Sequence, residues 1–228
     1  MLAGMRAGVS SGGLRDLVAL GRLLTEVVAP PACTSCGAEA AAEPLCGPCR
    51  AMLRWLDPEP ASAAGVEAWA PLGYDGPARA MVAALKFRGA AGLSRTMAAQ
   101  IAAVAPPGWL DGGVLVPVPL HATRLRRRGF NQAELLAAGL ADRTGLGVSD
   151  CLERRGRGTT QVGRGRGQRA EAIEGAVATR PGALVPARAI VVDDVVTTGA
   201  TLAACAHALL VSGARSVRAV AYARTPGR

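Results

Sequence analysis

The run IVVDDVVTTGAT at residues 190–201 constrains the fold more than any other stretch of the chain. Residues 187–194 are almost continuously apolar up to two aspartates, a pattern typical of a strand buried on both faces of a parallel sheet. Residues 198–214 follow at once, with apolar side chains at helical spacing. A buried strand that leads through a short turn into a helix predicts the α/β class with an open, parallel sheet.

Helical and strand patterns alternate along the chain from residue 66 onward, which supports the same class. Asn131 precedes one predicted helix and Glu134 follows three residues later, the pattern of a capping box. The other predicted elements are helices at 76–89, 93–105 and 131–145 and strands at 114–119 and 216–223.

The predicted strand ends in Asp193 and Asp194, and open α/β sheets bind ligands beyond the carboxyl ends of their strands. The turn that follows offers backbone amides at the positive end of the next helix, which suits a phosphate group. No lysine follows the glycine, so the turn is not a Walker A loop. The residues predicted to surround the phosphate are Thr197, Thr198, Gly199, Ala200 and Thr201.

Asp193 and Asp194 would repel a phosphate directly, so they should face sugar hydroxyls or Mg²⁺ instead. A ligand with a terminal phosphate and a neighbouring diol, such as a ribose 5-phosphate, satisfies both halves of the run. The alternative is that the threonines only cap the helix and the aspartates are solvated. Two adjacent acids at the end of a buried strand favour a ligand, because burying unpaired charge is costly.

Four of the six cysteines form two Cys-x-x-Cys pairs with nine residues between them. Thiolates at this spacing reach one tetrahedral metal ion, and no histidine lies nearby, so a closed structural zinc site is predicted. Two disulfides, a redox Cys-x-x-Cys or unpaired buried thiols are the alternatives. Cys151 and Cys205 stand singly in apolar contexts and are predicted to be core residues. The predicted zinc ligands are Cys33, Cys36, Cys46 and Cys49.

The composition limits the partners of the chain. A net charge of +9 suits phosphates, nucleotides or nucleic acid, or else a solvated basic surface. Aromatic residues make up only 3% of the chain, which argues against stacking as the main binding mode. The apolar stretch at residues 14–28 is short and interrupted by charges, so we expect an amphipathic helix, no membrane insertion and a cytoplasmic protein.

Composition shifts divide the chain into four predicted parts. They are an N-terminal tail with the amphipathic helix at 1–30, a four-cysteine zinc module at 31–57, a linker at 58–65 and the α/β domain at 66–228.

The run at 190–201 resembles the phosphoribosyl pyrophosphate (PRPP) signature of the type I phosphoribosyltransferases. LKFRG at 85–89, VPVPLHATRLRRRGFNQAELLA at 116–137 and TTQVGRGRGQR at 159–169 are similar to the ComF family. Members of that family join a four-cysteine zinc module to a phosphoribosyltransferase domain, and the resemblance extends over most of the chain. It implies a type I phosphoribosyltransferase-like domain at 66–228.

The resemblance also implies roles for the site residues. Asp193 and Asp194 would hold the ribose hydroxyls, and the turn at 197–201 would surround the 5-phosphate. The strand end and loop at 119–128 would form the pyrophosphate side, with contacts from Arg124 and Arg128. Alternatively, the RLRRRG stretch is a solvated or nucleic-acid-binding loop.

The resemblance also implies a mobile flap over the site, which carries Gln161 and Arg169. Its sequence departs from the family pattern at Ala172, Ile173 and 175–177. Lys86 is predicted to be a surface lysine and His207 a packing residue. His121 is predicted to be a turn residue, with contact to a phosphate as the alternative.

As an enzyme, a chain of this kind would transfer a phosphoribosyl group from PRPP with Mg²⁺ to an acceptor that the sequence does not identify. The ComF family is also associated with natural competence and DNA uptake, which implies single-stranded DNA and a DNA-uptake helicase as partners. The second hypothesis is therefore a non-catalytic, single-strand-binding accessory protein that keeps the PRPP site as a sensor or structural relic.

Overall fold

A computed structural model describes residues 32–41, 43–154 and 177–225 of the chain. The predicted segment at 1–30 and the flap residues Gln161 and Arg169 lie outside the described residues. The helices are α1 (Gly47–Ala51), α2 (Gly76–Phe87), α3 (Leu93–Val104), α4 (Ala122–Arg128), α5 (Gln132–Thr144) and α6 (Ala200–Val211). The strands are β1 (Ala61–Ala63), β2 (Val66–Trp69), β3 (Leu72–Gly73), β4 (Val114–Pro117), β5 (Leu152–Arg154), β6 (Val177–Thr179), β7 (Arg188–Val196) and β8 (Ser216–Arg224).

The main sheet has the strand order β1-β2-β8-β7-β4, and β3 also pairs with β8. Every pairing in it is parallel except that of β1 with β2. Strands β5 and β6 form a separate antiparallel pair. The predicted α/β class with a mostly parallel sheet is therefore confirmed.

Helices cover both faces of the sheet, which explains the unbroken apolar run in β7. Ile190 and Val192 belong to one apolar cluster, with α2, α3 and α5. Ala189 and Val191 belong to the other, with α6 and the β5–β6 pair. Because successive side chains of a strand point to opposite faces, a strand between two helical layers needs apolar residues at every position.

Strand β7 continues two residues further than predicted, to Val196, so Asp193 and Asp194 lie within the strand. The predicted cap of the α5 helix is present: Asn131 Oδ1 accepts a hydrogen bond from the Ala133 amide at 3.1 Å. Asn131 Nδ2 donates to Glu134 Oε1 at 3.1 Å. The capping residues thus begin α5 as the sequence indicates, with a side-chain contact between them.

The basic stretch predicted as a loop is instead helix α4. Alanine, leucine and arginine are strong helix formers, and they outweigh the prolines that precede the stretch. The Thr123 amide donates to His121 Nδ1 at the start of the helix. Gly129, with a φ of 82°, ends it in the left-handed conformation that glycine adopts readily.

The cysteine module, residues 32–56, packs on the α/β domain. Cys33, Cys49 and Leu53 belong to the apolar cluster that includes helix α2. Arg88 Nη2 also donates to the Thr34 carbonyl at 3.2 Å. Residues 61–63 of the predicted linker form β1, while the division of the chain into domains stays a prediction. Among the described residues, no helix has the length and apolarity needed to cross a bilayer.

Candidate functional site

A cavity of about 320 Å³ lies at the carboxyl ends of β4 and β7, and we call it the ligand cavity. Strand β4 ends at Pro117, opposite Val192, whereas β7 continues to Val196. The residues after Pro117 lead into α4 and line the cavity together with the end of β7. Its charged lining residues are Lys86, Arg124, Arg128, Arg154, Asp193 and Asp194.

Asp193 and Asp194, the acidic pair, point to opposite faces of the sheet because they are neighbours in a strand. Asp194 shares the face of Val192, against which helix α2 packs. Asp193 faces α6, where burial and then the Asp193 charge raise the pKa of the Cys205 thiol to about 12. The two carboxyl groups therefore enter the cavity from different sides of β7.

Lys86, from the last turn of α2, forms an ion pair with Asp194. The distance from Lys86 Nζ to Asp194 Oδ1 is 2.8 Å, and the two side chains are 21% and 3% exposed. Asp194 Oδ2 is buried and has no hydrogen-bond partner among the described residues. The lysine therefore neutralises the buried carboxylate and leaves one of its oxygens for a ligand.

Asp193 is partly buried, and its Oδ1 accepts a hydrogen bond from the Asp194 amide at 2.8 Å. Burial, and next the negative charge of Asp194, raise the pKa of Asp193 to about 8. At neutral pH the acidic pair therefore holds a proton until a cation bound next to it favours the charged form of Asp193. With four cationic side chains around it, the ligand cavity is strongly positive and suits a ligand with several negative charges.

The phosphate turn, residues 197–201, lies beside the acidic pair. Thr197 and Thr201 line the ligand cavity, and the whole turn encloses an adjoining space of about 30 Å³. Gly199 has a φ of 78°, and a Cβ placed on it would lie 2.6 Å from the carbonyl carbon of Ala63. Glycine is therefore required here by the backbone conformation and by the close approach of β1.

Helix α4 places its arginines differently. Arg124 and Arg128 line the ligand cavity, whereas Arg126 and Arg127 do not. Arg128 Nη1 donates to Gln132 Oε1 at 2.8 Å, and its guanidinium lies 5.2 Å from the centre of the Phe87 ring. Burial lowers the pKa of Arg128 from its ordinary value. These contacts hold Arg128 in place between the cavity and α2.

Sequence reasoning missed four residues with polar or charged side chains in the ligand cavity: Lys86, Arg154, Tyr74 and Gln132. The prediction of a surface lysine for Lys86 is wrong, because its ammonium group is directed into the sheet toward Asp194. Its sequence signal was that Lys86 is the single lysine in a chain rich in arginine. His121, predicted as a turn residue, caps α4 and also lines the cavity.

The four cysteines predicted as metal ligands converge on one point. Their sulfur atoms all lie within 4.8 Å of one another, and Cys36 Sγ is 3.7 Å from Cys46 Sγ. Zinc–sulfur bonds of about 2.3 Å in a tetrahedron set sulfur atoms about 3.8 Å apart, so the cluster is compatible with zinc. None of the four forms a disulfide. Cys151 and Cys205 are buried in the core, as predicted.

Two kinds of curated relative are similar to the chain, each over about half its length. The DNA utilization protein YhgH of Salmonella typhi and that of Salmonella typhimurium are 36% identical over 115 residues, 49% of this chain and 49% of each relative. The competence protein ComFC of Streptococcus pneumoniae is 31% identical over 109 residues, 48% of this chain and 47% of the relative. The chain thus spans about half the length of the curated relatives it matches, and the resemblance to ComF proteins is confirmed.

Among solved structures, the chain is similar to an allosteric regulatory enzyme of purine biosynthesis. The TM-score is 0.38 and the identity 20%, over 56% of this chain and 25% of the enzyme. This likeness is too weak to support a conclusion. No family model matches the chain.

Proposed function

We propose that the chain is a PRPP-binding, phosphoribosyltransferase-like protein linked to DNA uptake. One observation supports the PRPP site above all others. The acidic pair and two threonines of the phosphate turn line one cavity whose other charged residues are four cations, and the rest of the turn encloses the adjoining space. A ribose with a phosphate at one end and a pyrophosphate at the other needs the acidic pair, the phosphate turn and the cations together.

Each part of PRPP would meet a different element. The 5-phosphate would bind the amides and hydroxyls of the phosphate turn at the start of α6. The ribose hydroxyls would donate to Asp193 and to the free Asp194 oxygen. The pyrophosphate would lie toward α4, where Arg124 and Arg128 line the cavity. This arrangement places C1 of the ribose between the acidic pair and the arginines.

In the proposed reaction the bond from C1 to the pyrophosphate oxygen breaks, and pyrophosphate leaves with the electron pair. A lone pair of the acceptor forms the new bond to C1, and the acceptor gives up a proton to solvent or to the released pyrophosphate. The arginines stabilise the departing negative charge, and the carboxylates stabilise the positive charge that develops on the sugar. No residue of the cavity has to act as a strong base.

Mg²⁺ is part of the proposal, and the site fits it under one condition. The acidic pair offers oxygen ligands, including the buried Asp194 oxygen that has no partner among the described residues. The four surrounding cations would repel a bare divalent ion. We therefore expect Asp193 and Asp194 to hold Mg²⁺ only together with PRPP. When bound, the ion would neutralise charge on the leaving pyrophosphate.

Calorimetry with PRPP, with and without Mg²⁺, tests this proposal. Asp193→Asn with Asp194→Asn should weaken PRPP binding at least about a hundredfold, because two charge-assisted hydrogen bonds of about 1.5–3 kcal/mol each are lost. Asp142→Asn, an exposed acid on α5, is the matched control. A wild-type protein that does not bind PRPP would exclude this function. Release of pyrophosphate during an acceptor screen then tests catalysis.

A second candidate function is binding of single-stranded nucleic acid without catalysis. The observation that favours it is the exposed basic surface of α4, where Arg126 and Arg127 face away from the ligand cavity. The printed names of the relatives, which concern DNA utilization and competence, agree with a role near DNA. Asp193→Asn with Asp194→Asn should abolish PRPP binding and spare DNA binding, and a DNA affinity that is insensitive to salt would exclude this candidate. A DNA-uptake helicase as partner belongs to the same proposal.

Structural zinc and a cytoplasmic location complete the proposal. Zinc held by Cys33, Cys36, Cys46 and Cys49 would stabilise the cysteine module where it packs on α2. Six cysteines without a disulfide suit a reducing compartment.

A further inference from the structure

A second cavity, of about 590 Å³, lies beside the ligand cavity. Its lining residues are Lys86, Phe87, Gly89, Arg127, Arg128 and Phe130. Lys86 and Arg128 line both cavities, so their side chains form the wall between them. The volume is within the range of small-molecule sites. The second candidate function uses Arg127 of this lining, but neither candidate function assigns a ligand to the space.

The lining of the second cavity combines aromatic rings with positive charge. The chain has two phenylalanines, and both line this cavity. Phe87 is 67% exposed, and Phe130 is partly buried against the core. A single exposed phenylalanine is unremarkable on a protein surface, but the meeting of both in one concave, basic site indicates a planar ligand. The low aromatic content of the sequence does not reveal that its two phenylalanines lie in one cavity.

The three cations of the second cavity have different roles. Lys86 is paired with Asp194, and Arg128 is held by Gln132 and lies over the Phe87 ring. The Arg127 side chain is exposed and forms no hydrogen bond or ion pair within the described part of the chain. No acidic residue of the described part of the chain lines the cavity. A ligand group that binds Arg127 should therefore be an anion.

We propose that the second cavity binds a nucleotide unit, with its base against Phe87 and Phe130 and its phosphate on Arg127. The unit comes either from a free nucleotide or from a single-stranded nucleic acid, since both present the same base and phosphate. The inference rests on the proposed function in one respect: it places the base next to the ribose of PRPP, across the wall formed by Lys86 and Arg128. Binding itself does not require PRPP.

Fluorescence anisotropy with a short, labelled oligothymidylate tests the proposal, and calorimetry with free thymidine and adenosine monophosphates separates the two sources. Phe87→Leu should weaken binding of the oligothymidylate about tenfold, and Phe87→Trp should restore it. A strand of the same length without bases is the control ligand. Its affinity should be lower than that of the oligothymidylate and should not change with Phe87→Leu.

Arg127→Gln should weaken binding of both strands and reduce the salt dependence of the affinity by about one phosphate contact. Arg79→Gln is the matched control: it removes the same charge from an exposed arginine of α2, and Arg79 lines neither cavity. Thermal melting of every variant confirms that it folds. An acidic peptide is a further competitor, and it should displace the oligothymidylate poorly.

The outcomes separate this inference from the proposed function. If the wild type binds PRPP but neither nucleotides nor the oligothymidylate, the inference is wrong and the proposed function stands. If nucleotides bind but PRPP does not, the second cavity is a nucleotide site and the PRPP proposal fails. Equal losses for Arg79→Gln and Arg127→Gln, or an equal effect of Phe87→Leu on strands with and without bases, would show non-specific attraction and overturn the inference.

Discussion

Replacing Lys86 with methionine should both destabilise the protein and weaken PRPP binding, because it leaves Asp194 buried without a counter-charge. The Asp194 side chain is 3% exposed, and Lys86 Nζ lies 2.8 Å from its Oδ1. Methionine fills a similar volume, so loss of packing contributes little. The charge is therefore the variable that Lys86→Met changes.

The expected cost follows from two limits. Removing one partner of a buried ion pair costs about 3–5 kcal/mol. Protonation of the orphaned carboxyl group caps this cost, since an aspartic acid with an ordinary pKa near 3.9 takes up a proton at pH 7 for about 4 kcal/mol. Because Lys86 is 21% exposed, part of its attraction is already screened by water. We expect a loss of about 2–4 kcal/mol at pH 7, and a smaller loss at pH 5.5, where protonation is easier.

Urea unfolding of the zinc-loaded protein measures this loss, and Arg79→Met, an exposed cation on the same helix, is the matched control. A double-mutant cycle with Asp194→Asn should give a coupling energy of about 1–3 kcal/mol, because the doubly substituted protein no longer buries an unpaired charge. PRPP affinity should fall with Lys86→Met, since the ligand cavity loses one of its four cations. A loss below about 0.5 kcal/mol with additive single effects would refute the reasoning.

Three further predictions concern other parts of the site. Gly199→Ala should lower the free energy of unfolding by more than about 1–3 kcal/mol, because it adds a clash with Ala63 to the strain of a positive φ. Gly182→Ala is the control, because Gly182 has a φ of 74° and open space around it, so the substitution adds the dihedral strain alone. Equal losses of stability for the two variants in thermal melting would contradict the close approach of Gly199 to Ala63. Since burial, and then Asp194, raise the pKa of Asp193 to about 8, the folded protein keeps a proton there that the unfolded chain loses near pH 4. The contribution of Asp193 to stability should therefore fall as the pH rises from about 4 to about 8, and Asp193→Asn should remove this part of the pH dependence in urea unfolding. Identical pH slopes for Asp193→Asn and wild type would disprove that assignment. Cys36→Ser should lower the zinc content, measured by mass spectrometry, from about one ion per chain, whereas Cys151→Ser should retain it; a wild type without zinc would exclude the metal site.

Much of the fold was accessible from the sequence because it depends on local patterns. The β-branched run of β7 and the helical spacing of α6 are periodicities that a single stretch displays. Asn131 begins α5 through hydrogen bonds to residues two and three positions away. Helix α4 differs from the predicted loop because its residues are good helix formers and Gly129 ends it, although prolines precede it.

Neighbouring residues are enough to predict that a buried strand leads through a Gly/Thr turn into a helix, with two acids before the turn, and that four thiols reach one point. The pairing of Lys86 with Asp194 and the meeting of both phenylalanines in one basic cavity depend instead on how distant segments pack. These contacts form where the last turn of α2 packs against β7 and beside α4. The spacing of these three elements along the chain does not predict how they pack.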